Sequence, residues 1–397
     1  MKKIMAVNAG SSSLKFQLVE MPQEEVITTG IVDRIGFEDA AFEIVVNGQK
    51  KKEILAIKDH SIAVEMLLEA LIKYEIVTSL EDIVAVGHRV VHGGENFSDS
   101  TKVDEAVVKA VEELCDLAPL HNPANLIGYH AFSKALKNAQ HVFVFDTAFH
   151  QTIEEECYLY ALPYEYYTDL KVRKYGAHGT SHKFVGEVAH EMLGNPQDSK
   201  IIVCHLGNGA SLSAIHNGKC IDTSMGFTPL AGVMMGTRSG DIDPSIMPYL
   251  CNKLNISADE VLNILNKKSG MLGVSQISSD SRDVEDAYFA GNPAAIRTSK
   301  LYSRIISKYI GSYFIALGGV DAIVFTAGLG ENASYIRKLV VEDIQDALGA
   351  RIDENLNNQR AKDPRVISTA DSKVKVMVIP TNEEIVIARD TVRILGL

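Results

Sequence analysis

The stretch Val7-Asn8-Ala9-Gly10-Ser11-Ser12-Ser13-Leu14-Lys15-Phe16 decides the reading of this chain. An apolar strand from Ile4 to Val7 runs into a tight Asn-Ala-Gly-Ser-Ser-Ser turn, and a second strand leaves through Leu14, Phe16 and Leu18. Gly10 lets backbone approach a ligand closely. The hydroxyls of Ser11 and Ser12 and the N–H groups of the turn suit a phosphate, and Lys15 adds a point charge. Alone, the segment reads equally well as an ordinary serine-rich hairpin. A second copy changes that balance: Ile201 to Ile215, with His205-Leu206-Gly207-Asn208-Gly209-Ala210-Ser211 at its turn, repeats strand, turn and strand about two hundred residues later. Two hairpins of this kind imply a duplicated α/β fold with a nucleotide between its halves.

Composition sets the frame. With 397 residues, two domains are expected. Hydrophobic residues at 46% and charged ones at 23% are ordinary for a globular protein. A net charge of −12 argues against nucleic acid or an anionic membrane as the partner, so an anionic substrate must be captured by a local basic site. The five cysteines are odd in number, scattered, and form no C-x-x-C pair, which fits reduced thiols in a cytoplasm. The apolar run behind Lys2-Lys3 ends at Asn8, too short for a secretory signal. Gly318-Gly319 and Asp321 split the apolar window 313–330, so a buried helix end followed by a strand is expected there, not a membrane span.

Along the chain, Ile62, Met66, Leu67, Ala70 and Leu71 fall on one helical face, and Asp104 is a candidate N-cap. Strands are expected over 83–91, ending in His88-Arg89-Val90-Val91-His92-Gly93-Gly94, and over 141–145, ending at Asp146. Chemistry at the carboxyl ends of strands is what an α/β architecture leads one to expect. Next come Gly176-Ala177-His178-Gly179 opening a helix, a glycine-rich loop over 231–244, and a long helix over 294–317 with Pro293 at its start. A strand over 321–325 turns through 326–332, and a last strand over 374–379 precedes a C-terminal helix over 385–395.

These segments together resemble the acetate kinases over nearly the whole chain. The resemblance rests on NAGSSSLK (8–15), GHRVVHGG (87–94), LAPLHNP (117–123), FDTAFH (145–150), HGTSH (178–182), HLGNGAS (205–211), DTSMGFTPLAGVMMGTRSGDIDP (222–244), TAGLGEN (326–332) and PTNEE (380–384), in that order. It implies the two-domain actin/Hsp70/sugar-kinase fold, each half a βββαβαβα unit with nucleotide in the interdomain cleft. The first domain would be 1–149 plus 383–397 and the second 150–382, the latter carrying nucleotide and a homodimer contact. The implied activity is reversible, direct in-line phosphoryl transfer from ATP to acetate, giving acetyl phosphate and ADP with Mg²⁺ or Mn²⁺.

The chemistry of that reaction fits the residues. Acetate, with a pKa close to the Glu value of about 4.3, is already ionised at neutral pH. The site therefore needs positive groups, not a base. Arg89 and Arg238 supply planar forks for carboxylate and phosphate oxygens, or else are surface arginines with no ligand. The resemblance places His178 on the transferring phosphoryl group, His121 at the substrate, and Val91, Leu120 and Pro229 around its methyl. It makes Asp146 catalytic; since acetate needs no base, orienting an arginine or a metal-bound water is the preferred role, and capping a turn is the plainer one. Asn8 and Glu383 match the metal positions, Glu383 being also a first-turn acid favoured by the helix dipole. Lys15, Ser11, Ser12, His205, Leu206, Gly207, Asn208 and Gly209 match the phosphate side. Asp280, Ser281, Arg282, Gly328, Leu329, Gly330, Glu331 and Asn332 match the adenosine side.

One departure stands out: Ala177 replaces the phenylalanine usual in that string, which opens the question of a larger acid such as propionate. An actin-like or Hsp70-like ATPase, which needs only water as acceptor, and a sugar kinase, which needs a base such as Asp146, are the remaining readings.

Overall fold

The computed structural model describes residues 1–119 and 121–397. The chain divides into two units, Met1–Phe149 with Asn382–Leu397, and His150–Thr381.

The first unit is built on an eight-stranded sheet. Its strands are β1 (Lys2–Ala9), β2 (Ser13–Met21), β3 (Glu25–Asp33), β4 (Ala40–Val46), β5 (Gln49–Leu55), β6 (Ile83–Val90), β7 (Thr101–Lys102) and β8 (Gln140–Phe145), in spatial order β5-β4-β3-β2-β1-β6-β8-β7. Ile4, Met5, Ala6 and Val7 are all buried, because β1 is central and covered on both faces. It pairs antiparallel with β2 and parallel with β6, which pairs parallel with β8. β5, with three consecutive lysines, is the exposed edge, where charge blunts further pairing.

The second unit carries β9 (Lys200–Leu206), β10 (Ala210–His216), β11 (Lys219–Thr223), β12 (Ala322–Thr326), β13 (Arg365–Val366) and β14 (Lys375–Val378), in order β11-β10-β9-β12-β14-β13. β9 pairs antiparallel with β10 and parallel with β12, and β12 parallel with β14. The core order β3-β2-β1-β6-β8 is thus repeated as β11-β10-β9-β12-β14, with the same strand directions, and the duplication inferred from the hairpins is a duplication of topology.

The repeat carries additions to the expected βββαβαβα unit. The first sheet gains the β4–β5 hairpin, turned by Asn47 and Gly48 with φ of 49° and 75°. Asn217 and Gly218 turn β10 into β11 in the same way, with φ of 49° and 76°. Asn-Gly is the dipeptide that two-residue hairpin turns favour, so both turns were legible as VVNGQK and IHNGKC. Four helices, Ile246–Leu254, Ala258–Lys267, Gly270–Ser275 and Ser281–Phe289, fill the segment between the glycine-rich loop and the long helix Pro293–Leu317.

The closing helices are exchanged. The first long helix after β8, Gly179–Met192, packs on β9 and β12 of the second unit. The helix that follows β14, Glu383–Leu395, packs on β1, β6 and β8 of the first. Asn382 belongs with that returning helix because its side chain accepts the N–H of Ile385 and caps it. Asp104 caps the helix Glu105–Glu113 through the N–H of Val107.

Candidate active site

In the first unit the candidate residues meet at the carboxyl ends of β1, β6 and β8. Arg89 is one residue from the end of β6 and Asp146 is the first residue past β8. Asp146 is fully buried. Its Oδ1 accepts Arg89 Nε–H at 3.0 Å, and its Oδ2 accepts Arg89 Nη2–H in a very short bond. Arg89 Nη1–H donates to Asn8 Oδ1 at 3.1 Å, and Glu383 Oε2 lies 4.0 Å from Arg89 Nε. Burial works against the guanidinium charge, but the carboxylates of Asp146 and Glu383 outweigh it and hold its pKa above the ordinary arginine value. Two-pronged contact makes Asp146 an orienter of Arg89. One hydrogen on each terminal nitrogen of Arg89 remains for a ligand.

The loop after β6 is pinned by the helix Asn122–Ala135. Asn125 Oδ1 accepts Val91 N–H at 3.0 Å while its Nδ2 donates to the Ala9 carbonyl at 2.6 Å. Asn122 Oδ1 accepts His92 N–H and its Nδ2 donates to the His92 carbonyl, both at 3.0 Å. Thr147 Oγ1 accepts Gly93 N–H at 2.9 Å. His60 Nε2 donates to the Gly10 carbonyl at 2.8 Å and fixes the serine turn. Sequence reasoning missed all of these positioning residues. Asn122, within LHNP, and Thr147, within FDTAFH, lie in segments that the sequence singled out. Val91 is buried beside Arg89, and His121 starts the helix. Leu120 lies outside the described residues. Ser11 and Lys15 are exposed and Ser12 is half-buried.

In the second unit the β9–β10 turn faces two further candidates. A Cβ added to Gly209 would lie 3.4 Å from His178 Nε2 and 3.6 Å from Arg238 Nη1, so imidazole and guanidinium converge on that glycine. His178 takes φ of 58° at the start of its helix. His150 Nε2 donates to the Ala177 carbonyl at 2.9 Å and braces the preceding peptide. The His178 ring stacks on His205 with centroids 4.2 Å apart, and His205 Nδ1 meets Ser181 Oγ at 2.7 Å. Arg238 Nη1 donates to the Pro229 carbonyl at 3.2 Å. Among the described residues it has no carboxylate partner, and burial lowers its pKa.

Beside this lies a cavity of about 300 Å³ lined by Gly207, Asn208, Gly236, Asp280, Ser281 and Gly328, with Met271, Ser279 and Leu329 completing its wall. A Cβ at Gly236 would sit 1.8 Å from Asn208 Oδ1 and 3.1 Å from the Ser279 carbonyl, so a side chain there would displace Asn208. Around Gly328 there is open space.

Some expected nucleotide residues have other partners. Leu206 is fully buried in the hydrophobic core of the unit. Glu331 accepts the N–H of Ala327 at 2.9 Å and of Thr381 at 3.3 Å, and Asn332 Nδ2 donates to the Gly328 carbonyl at 2.8 Å, so both brace the short helix Ala327–Asn332. The Gly330 carbonyl accepts Arg337 Nη1–H at 2.8 Å. Asp280 caps the helix Ser281–Phe289, and the Arg282 guanidinium beside it holds its carboxyl down at about 2. Arg282 itself projects to solvent. Ala177 is buried, 4% exposed, and belongs to the hydrophobic core cluster of the second unit.

Asn8 Oδ1 and the Glu383 carboxylate are both hard oxygen donors at the Arg89 cluster, a set that fits Mg²⁺ or Mn²⁺ when phosphate and water complete the shell. Among the described residues no group of three or more His, Cys, Asp or Glu gathers as a metal cluster. No helix among them is long and apolar enough to cross a membrane.

A cavity of nucleoside size beside an imidazole and a guanidinium with no carboxylate partner among the described residues defines the class, a nucleotide-dependent phosphotransferase. The sequence profile of the acetokinase family matches residues 3–389, and the chain belongs to that family. It is 57% identical to an acetate kinase of Geobacillus kaustophilus, over the full length of both chains. Among solved structures it is similar to the acetate kinase of Porphyromonas gingivalis, with a TM-score of 0.94, 46% identity and full coverage of both chains. It is also similar to a propionate kinase of Francisella tularensis, with a TM-score of 0.93 and 40% identity over 99% of this chain and 100% of that one.

Proposed function

We propose that this protein transfers the γ-phosphoryl group of ATP to acetate, reversibly, giving acetyl phosphate and ADP. An acetate oxygen attacks the γ-phosphorus, the bond from that phosphorus to the β,γ-bridging oxygen breaks, and its electron pair leaves with ADP. The observation that carries this is Arg238, a part-buried guanidinium with no carboxylate partner among the described residues, converging with His178 on Gly209 beside the glycine-walled cavity. Transfer between two anions needs such a charge already in place.

The second unit binds the nucleotide, with Gly207, Asn208, Asp280, Ser281, Gly328 and Leu329 around the nucleoside. Arg238 and His178 donate to the oxygens of the transferring group. In the first unit Arg89, oriented by Asp146, holds the acetate carboxylate, and Val91 gives its methyl an apolar wall, with Leu120, His121 and Pro229 as further candidates at the substrate. Asp146 is not required as a base, since both of its oxygens are engaged by Arg89 and acetate is already ionised. Asn8 and Glu383 would hold Mg²⁺, which when bound neutralises charge on the phosphate oxygens.

Free cysteines at all five positions support a reducing, cytoplasmic setting. Exposed apolar residues on the second unit, among them Leu162, Tyr164, Tyr249 and Ile315, support a homodimer formed through that unit.

Trapping acyl phosphate with hydroxylamine across formate, acetate, propionate and butyrate tests the assignment. Acetate should give the highest kcat/KM. ATP consumption that does not depend on any carboxylic acid would overturn it.

A further inference from the structure

Behind His178 the hydroxyls and imidazoles stand in single file. Ser211 and Ser213 lie two residues apart on β10 and so share a face. His182 lies one helical turn after His178. Ser213 Oγ is 2.7 Å from His182 Nδ1, His182 Nε2 is 2.8 Å from Ser211 Oγ, and Ser211 Oγ is 2.9 Å from His178 Nδ1. Ser211, Ser213 and His182 are all fully buried.

The direction of this file follows from counting protons. A neutral imidazole has one N–H and one lone pair, and a serine hydroxyl has one proton to give. His182 is neutral, because burial and the neighbouring His150 and His205 push its pKa well below the ordinary value. Suppose His178 donated from Nδ1 to Ser211. Ser211 would then donate to His182 Nε2, and His182 would donate from Nδ1 to Ser213. The Ser213 proton would be left over, and among the described residues Ser213 Oγ has no hydrogen-bond partner other than His182. If Ser211 instead accepted from both histidines, its own proton would be orphaned. In the reverse direction Ser213 O–H donates to His182 Nδ1, His182 Nε2–H donates to Ser211, and Ser211 O–H donates to His178 Nδ1. Only this arrangement gives each of the three protons within the file an acceptor, and it leaves the His178 proton on Nε2, on the Gly209 side. An orphaned buried donor is costly enough to bias the choice by roughly tenfold or more.

We infer that Ser213, His182 and Ser211 form a one-way tautomer lock that keeps the His178 proton on Nε2, the nitrogen turned toward Gly209 and Arg238, so that this histidine meets its ligand as a neutral N–H donor. The three are positioning residues; none touches substrate in this account. A donor at Nε2 binds a phosphoryl oxygen, whereas a lone pair there would repel it. The functional part of the inference rests on the reading of His178 given above. The tautomer itself does not.

Nitrogen-15 NMR of the histidine-labelled full-length protein tests the lock directly, with the His178 signals identified by their loss in His178→Ala. The expected result is a protonated Nε2 and an unprotonated Nδ1 at His178. Ser213→Ala removes the terminal donor and should admit the second tautomer, lowering kcat roughly tenfold with KM for ATP and acetate unchanged. A proton on Nδ1 of His178 in the wild type overturns the lock, and so does a Ser213→Ala protein with unchanged His178 shifts and kcat. If His178→Ala keeps wild-type kcat, the phosphoryl role of His178 falls while the tautomer measurement still stands.

Discussion

Arg89 and Arg238 have the same side chain in opposite environments. Arg89 is held by Asp146 in two contacts, by Asn8, and by the nearby Glu383. Arg238 has a carbonyl and a methionine sulfur beside it and, among the described residues, no carboxylate. The neighbouring carboxylates raise the pKa of the first, and burial lowers that of the second. A paired arginine is part of the fold as well as of the site. An unpaired, part-buried one carries a standing desolvation cost that an anion relieves. The two should therefore fail differently when removed.

The largest effect belongs to Arg89→Ala. It removes the two-pronged Arg89 partner of the fully buried Asp146 carboxylate, which should cost about 3–5 kcal/mol of stability in addition to lost turnover. Asp146→Leu combined with Arg89→Met should recover most of the stability and none of the activity. Denaturant unfolding alongside kcat separates the two losses, and a single Arg89→Ala variant as stable as wild type would mean that the Asp146 pair is not structural.

Arg238→Ala should lower kcat by about a hundredfold, on the order of 3 kcal/mol at the transition state. Its Tm should stay level or rise, because a desolvated charge has been removed. A marked fall in Tm would erase the contrast with Arg89. Phosphate or ATP should raise the Tm of the wild type more than that of this variant, since ligand binding to the folded state is what stabilises it.

Asn125→Ala tests the brace that holds the Arg89 side. It leaves Val91 N–H and the Ala9 carbonyl unpaired in a buried setting, for about 1–3 kcal/mol. The KM for acetate should rise while the KM for ATP holds. Equal changes in both would place Asn125 in general packing.

Arg282→Ala should have the smallest effect. Arg282 is exposed and pairs with Asp280 at the surface, where such pairs contribute little. Thermal melts and ATP titration should match wild type. A clear loss of ATP affinity would show that Arg282 reaches the nucleotide.

The separation between what was legible and what was not runs along the chain's local chemistry. The strand–turn–strand segments at 8–15 and 205–211 announced the duplication, because short apolar runs and glycine turns are local signals. Arg89, Asp146 and Asn8 were named from motifs far apart in sequence, and the structure joins them in one hydrogen-bonded group. Asn125 and His60 gave no such signal, since a buried polar side chain that serves a distant backbone group looks like any other polar residue until the chain folds. His182 stood one turn from His178 and Ser213 two residues from Ser211, so each pair was visible, but their meeting was not. Ala177 was read from its motif as opening the question of a larger acid, and the structure buries it in the core cluster of the second unit.

The sequence alone determined the strand cores, the Asn-Gly turns, the caps at Asp104 and Asn382, and the identity of the charged groups, because each depends on residues a few positions apart. The tertiary structure alone decided that Arg89 is paired and Arg238 is not, that the two closing helices exchange sheets, and that the serine–histidine file ends at Ser213. Each of these depends on which groups are left without water and without a partner, and that is settled only when segments distant in sequence pack together.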